Sequence, residues 1–129
     1  MTGPINMPPT ALVVDDSEDN RLIFEDILSD MGYDVTTERT GEHALDILDS
    51  QTFTLAIIDL MLPEVNGLMI LSEINKNPLH DKMVTVIATA NPSLVNDDAS
   101  TAANYVIYKP INITEFRELA DNVKLHSGR

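Results

Sequence analysis

An α/β fold built on one parallel sheet is what this sequence predicts, and three observations carry the prediction. Short apolar runs alternate with helix-period stretches five times along the chain. The central runs are near-continuously apolar, which fits a parallel sheet covered on both faces. The length, 129 residues, suits one compact domain.

The elements follow in order. Ala11-Leu12-Val13-Val14 reads as a buried strand. Ser17 is placed to cap a helix over Glu18 to Met31, with Ile23, Ile27 and Met31 in one row and Phe24 and Leu28 beside them; Gly32 stops it. Val35 to Glu38 is a short, Thr-rich strand with edge character. A second helix spans Thr40 to Asp49, its inner face carrying Ala44, Leu45 and Leu48.

Phe53 to Ile58 forms a central strand, and Gly67 to Lys76 a third helix through Leu68, Leu71 and Ile74. Met83 to Ala88 is the fourth strand. Ser93 to Ala103 is a poor helix, because Asn, Asp, Ser and Thr bond to nearby backbone and compete with helical bonding. Tyr105 to Tyr108 is the fifth strand. Thr114 is expected to cap a last helix that buries Phe116, Leu119 and Val123. Alternation of this kind gives a doubly wound sheet. For so short a chain the expected arrangement is the flavodoxin-like (βα)5 type, a five-stranded parallel sheet in the order 2-1-3-4-5.

Composition excludes several functions. With no cysteine, disulfides, thiolate metal sites and cysteine nucleophiles are ruled out. The 21 acids outnumber 8 scattered bases for a net charge of −13, so nucleic acid and anionic membrane are not expected as partners. No apolar run approaches the ~20 residues that span a bilayer. Residues 1–9, rich in proline, read as a disordered leader, 10–126 as the domain and 127–129 as a tail, in a cytoplasmic protein. His43, His80 and His126 read as plain surface histidines.

Four of the strands run into distinctive polar residues: Asp15 and Asp16 after the first, Asp59 after the third, Thr89 after the fourth and Lys109 after the fifth. A parallel sheet gathers these on one edge. Alone, an aspartate after a strand is a turn former or a helix cap; together, the five call for a chemical explanation. Three crowded carboxylates repel, so one tends to protonate unless a cation joins them. An all-oxygen set with few protein ligands suits Mg²⁺. In that setting Asp59 is a carboxylate nucleophile toward phosphorus, with Lys109 and the Thr89 hydroxyl aiding the transferring group.

With these residues in place, the chain resembles the response regulator receiver domains of two-component signalling, over about residues 10–126. The resemblance rests on Val13-Val14-Asp15-Asp16-Ser17, on Asp59-Leu60-Met61-Leu62-Pro63 with Gly67 eight residues after the aspartate, on Thr89-Ala90 and on Lys109-Pro110. It implies that Asp59 is the phosphoacceptor and that Asp15, Asp16, Asp59 and the Met61 carbonyl hold Mg²⁺. It also implies phosphoryl contacts from Thr89 and Lys109, a cis bond before Pro110, and a phosphohistidine donor on a histidine kinase or histidine phosphotransfer protein.

Two departures from the family pattern concern output. Receivers usually carry an aromatic switch residue three positions before the lysine, where this chain has Val106; Tyr108 is the residue expected to replace it in part. The stretch from Thr89 to Lys109 also looks about two residues short. Since the chain ends about where its last helix does, output is expected through a docked downstream protein or onward phosphotransfer. Among the rivals, a phosphorylation-independent scaffold fits poorly with a complete site. An FMN protein would need a phosphate loop where Asp15, Asp16, Glu18 and Asp19 repel phosphate. A haloacid-dehalogenase-type phosphatase would need an aspartate at Met61.

Overall fold

The computed structural model describes residues 7–127. Most of the expected leader (residues 1–6) and the end of the tail (128–129) lie outside the described residues. The elements are β1 (Thr10–Val14), α1 (Glu18–Asp30), β2 (Asp34–Glu38), α2 (Gly41–Leu48), β3 (Leu55–Ile58), α3 (Gly67–Lys76), β4 (Val84–Thr89), α4 (Asp97–Ala102), β5 (Tyr105–Tyr108) and α5 (Ile113–Ser127). Short 3₁₀ turns at Pro78–His80 and Pro92–Leu94 precede β4 and α4. All strand pairs are parallel, and the order is β2-β1-β3-β4-β5, as the sequence predicts.

Strand residues alternate between two cores. Leu12, Val14, Ala56, Ile58 and Ile87 face α2, α3 and α4, while Ala11, Val13, Leu55, Ile57, Val86 and Ala88 face α1 and α5. Side chains point to opposite faces with period two, so a strand buried on both faces is apolar along most of its length; in β4 the buried Thr85 hydroxyl is satisfied by Asn104. Edge strand β2 is half-buried or exposed along its length, which its threonines tolerate.

Side chains of Ser17, Thr40, Asn66 and Asn96 each accept a backbone N–H in the first turn of α1, α2, α3 and α4, at 3.3, 3.2, 3.0 and 2.9 Å. Caps of this type contribute about 1 kcal/mol each. For α5 the capping oxygen belongs to Asn112, 3.0 Å from the Glu115 N–H, and not to Thr114. Asn112 starts the helix two residues earlier, and Thr114 falls inside its first turn.

The structure corrects three further details. On α1 the buried residues are Phe24 and Leu28, while Ile23 stays 45% exposed. The contact stripe is therefore rotated toward Phe24, whose ring meets Phe116 of α5 edge-on with centroids 5.2 Å apart. Strand β4 is shifted to Val84–Thr89, which takes Thr89 into the strand. His80 is no surface histidine: it is buried, with Nε2 2.8 Å from the Leu48 carbonyl at the end of α2. Nothing in its local sequence signals this, because Leu48 lies 32 residues away. His43 and His126 are exposed, as expected.

Gly32 ends α1 with a φ of +96°, the left-handed conformation in which a side chain is strained. The next residue, Tyr33, is buried and its hydroxyl donates to the Ala120 carbonyl at 2.6 Å, tying the start of β2 to α5. Burial, with a smaller contribution from Asp121, pushes the Tyr33 phenol up to about 12.

Candidate functional site

Parallel strands present their carboxyl ends along one edge, where doubly wound sheets bind ligands. Four of the five strands carry the residues singled out above at that edge, and β2 carries none. Asp15 and Asp16 follow β1, Asp59 follows β3, Thr89 closes β4, and Lys109 follows β5. Registers Val14↔Ile58 and Thr89↔Tyr108 level these ends with one another.

The five residues converge. Lys109 Nζ lies 2.6 Å from Asp15 Oδ2 and 3.1 Å from Asp59 Oδ2, bridging two buried carboxylates. The second oxygen of each is also held: Asp15 Oδ1 accepts the Ser17 N–H at 2.9 Å, and Asp59 Oδ1 accepts the Met61 N–H at 3.0 Å. Asp16 is exposed at the rim, and one carboxylate oxygen each of Asp15, Asp16 and Asp59 lies within 4.8 Å of the others. Thr89 is fully buried, its Oγ1 accepting the Asn91 N–H at 3.1 Å.

Electrostatics follow from that crowding. Burial holds the Asp59 carboxyl above the usual carboxylate range, against the Met61 N–H and Lys109, which pull it down. Burial also works against the Lys109 ammonium, but its bonds to Asp15 and Asp59 outweigh this and raise its affinity for the proton. One ammonium thus faces two buried carboxylates with a third at the rim, and the negative charge is only partly balanced. An all-oxygen cluster with surplus negative charge matches a small divalent cation such as Mg²⁺.

Local backbone shapes the site as well. Gly67, the first residue of α3, packs so closely on the Asp59 segment that an added Cβ would sit 2.2 Å from the Asp59 carbonyl oxygen. Any larger residue would push α3 away from the aspartate. Glu64, in the loop between them, adopts a positive φ of 64°. The Lys109–Pro110 peptide bond is cis.

Met61 stands beside the cluster with its side chain exposed. Val106 is half-buried and packs on the α2/α3/α4 core, and Tyr108 is exposed next to Thr89. Sequence reasoning missed Arg21, whose guanidinium donates to the Asp15 carbonyl at 2.7 Å. Its signal was weak: a single arginine one turn into α1, four residues after the cap.

The family model of the response regulator receiver domain matches residues 11–121, a span that holds every one of these residues. The chain belongs to this family. Among similar proteins, a probable chemotaxis protein CheY of Rhizobium etli is 31% identical over 115 residues, covering 87% of this chain and 89% of that one. The polar-differentiation response regulator DivK of Brucella anthropi is 30% identical, covering 87% and 93%. The response regulator TrrA of Thermotoga maritima, solved in complex with Mg²⁺ and beryllium fluoride, superposes with a TM-score of 0.81 at 30% identity, over 89% of this receiver and 98% of that chain. A CheY-like receiver from Methylobacillus flagellatus gives 0.83 at 20% identity, over 91% and 99%, which speaks for the fold. This receiver is therefore a response regulator module of two-component signalling. Among its described residues no helix is long and apolar enough to cross a membrane.

Proposed function

We propose that this receiver accepts a phosphoryl group on Asp59 from a phosphohistidine, on a histidine kinase or a histidine phosphotransfer protein of the cytoplasm, and passes the signal on by protein contact or onward transfer. The observation that carries the reading is the Asp59 carboxylate itself. It is buried at a strand end, with Lys109 Nζ at 3.1 Å and Asp15 and Asp16 close enough to share a cation.

An Asp59 oxygen attacks phosphorus as the bond to the imidazole nitrogen breaks, and the imidazole leaves with the electron pair. The product is an acyl phosphate. Phosphoryl transfer depends mainly on positioning and on charge stabilisation. The Met61 N–H and Lys109 fix the carboxylate, Lys109 meets the incoming negative charge, and the Thr89 hydroxyl donates to a phosphoryl oxygen. Asp15, Asp16, Asp59 and the Met61 carbonyl would hold Mg²⁺, which when bound neutralises charge on the transferring group. Lys109 Nζ, already within 3.1 Å of the Asp59 carboxylate, is the chain's own positive charge beside the transferring group.

Acetyl phosphate with Mg²⁺ tests this, with intact mass and base or hydroxylamine lability as readouts. One phosphoryl group of acyl-phosphate lability is expected, absent from Asp59→Asn. Label on serine, threonine or histidine, or no label at all on the wild-type protein, would overturn it.

A further inference from the structure

Every polar backbone and carboxylate atom of Asp15 has a partner. Its N–H donates to the Glu38 carbonyl at 3.2 Å, its Oδ1 accepts the Ser17 N–H, its Oδ2 accepts Lys109, and its carbonyl accepts Nη1 of Arg21 at 2.7 Å. Three of these partners belong to the sheet edge, to the turn into α1, or to the phosphoryl site. Arg21 belongs to none of them.

β1 ends at Val14, and the Asp15 carbonyl just beyond it takes its donor from Arg21. Arg21 is bonded through its own N–H to the Ser17 carbonyl at 3.0 Å, in the first turn of α1. Helical side chains lean toward the N-terminus, so the guanidinium folds back over the turn that carries the two aspartates. A guanidinium bond to a carbonyl is charge-assisted and stronger than a neutral one.

We infer that Arg21 is a positioning residue for the cation-binding carboxylates: by holding the Asp15 carbonyl it fixes the peptide plane between Asp15 and Asp16. Asp15 has its own side-chain anchors. The exposed Asp16 depends on its backbone for placement, so it gains most from that hold. The choice of a carbonyl also matters. An arginine bonded to a carboxylate would occupy an oxygen that a cation needs, whereas this one bonds a carbonyl and takes up none of the carboxylate oxygens.

This inference rests on the proposed cation site, and the test separates the two. Mg²⁺ is titrated into wild type, Arg21→Ala and Arg21→Lys while the Ser17 amide shift is followed by NMR, with metal-free melts run in parallel. Loss of orienting partners around metal ligands typically costs about tenfold in affinity or more. Arg21→Ala is expected to bind Mg²⁺ roughly tenfold more weakly, with Arg21→Lys recovering most of the loss through its remaining charged donor. Saturating Mg²⁺ is expected to restore the acetyl phosphate rate of the alanine variant.

If charge alone mattered, removing a cation would tighten Mg²⁺ binding; an unchanged or tighter constant in Arg21→Ala therefore overturns the inference. So does equal weakening in both variants in step with lost melting temperature, which marks a purely structural role. A wild-type protein that binds no Mg²⁺ overturns the cation site instead.

Discussion

On one side of the sheet, α1 and α5 close over Phe24, Leu28, Phe116, Ala120 and Val123, with the two phenyl rings packed edge to face. Three polar ties reinforce this side: Tyr33 to the Ala120 carbonyl, Lys124 to the Met31 carbonyl at 2.7 Å, and Arg117 to Asp30. On the other side, α2 and α3 bury leucine and isoleucine, but α4 is only six residues long and buries Ala99 alone. Its far end is pinned, by Asn75 to the Ala102 carbonyl at 3.0 Å and by the Asn104 side chain, which accepts the Thr85 N–H at 2.8 Å. Its near end, next to Thr89, is held by bonds local to Asn91 and Asn96. The comparison teaches where the domain keeps its stability and where it can change shape at low cost. Regions with few buried apolar contacts open first, and here that region follows Thr89 in the chain.

The largest expected effect tests that division directly. Phe116→Ala should destabilise the domain by about 3–5 kcal/mol. Ala99→Gly should cost about 1 kcal/mol, the helix penalty with little packing lost. Urea unfolding of both variants reads the difference, and an Ala99→Gly loss equal to that of Phe116→Ala would erase the contrast.

A smaller effect separates the two aspartates that hold to α1's first turn. Crowded carboxylates, read from sequence, imply that neutralising either one relieves repulsion. The structure splits them. Asp15→Asn weakens the Lys109 bridge and should destabilise the metal-free fold by about 1–3 kcal/mol. Asp16, exposed and away from Lys109, should change it by less than about 0.5 kcal/mol when made Asn. Metal-free melts decide between them, and equal stabilisation by both substitutions would restore the repulsion argument.

The α1/α5 side also has an alkaline signature. The folded state favours the neutral Tyr33 phenol, because burial raises its pKa from 10.0 to about 12. That contribution is complete below the unfolded value and is lost as pH climbs through the folded one. Stability should therefore fall between pH 10 and about 12, and Tyr33→Phe should flatten this decline while lowering stability at neutral pH. Thermal melts across that window check it; an equal decline in Tyr33→Phe would place the cause elsewhere.

The fold and the gathering of Asp15, Asp16, Asp59, Thr89 and Lys109 were legible because they depend on local chemistry repeated along the chain. Apolar runs mark strands buried on both faces, and the polar residue after each run is carried to one edge by topology alone. What escaped depends on contacts between distant segments. Nothing around Phe24 says that Phe116 will face it and turn α1 away from Ile23. His80 looks like a loop residue until the end of α2 covers it. The Lys109–Asp15 bond spans 94 residues, so the sequence shows three repelling carboxylates where the fold shows two already bridged. Asn112 and Thr114 are both good caps, and the path of the chain after Pro110 selects the first.

The smallest expected effect concerns how a signal leaves the site, and it sharpens the contrast between the two sides. Phosphorylation of Asp59 would draw the Thr89 hydroxyl toward the new oxygens, loosening its bond to the Asn91 N–H and the cap at Ser93 that follows. Val106 cannot relay this as an aromatic would, being β-branched, stiff at χ1 and already packed against the α2/α3/α4 core. Tyr108 lies on the same strand face, in register with Thr89, and its ring is exposed and packed into neither core. With the far end of α4 fixed by Asn75 and Asn104, the near end is the part that can move. Amide shifts recorded with and without Mg²⁺ and beryllofluoride should therefore be concentrated in residues 89–101 and at Tyr108, and Tyr108→Ala should reduce those in α4. The response should be modest, since a two-state element is biased only by the difference in its contacts between states. Shifts confined to the loops of Asp15 and Asp59, with α4 silent, would instead assign output to the exposed Leu22 and Ile23 of α1, on the side that packing makes rigid.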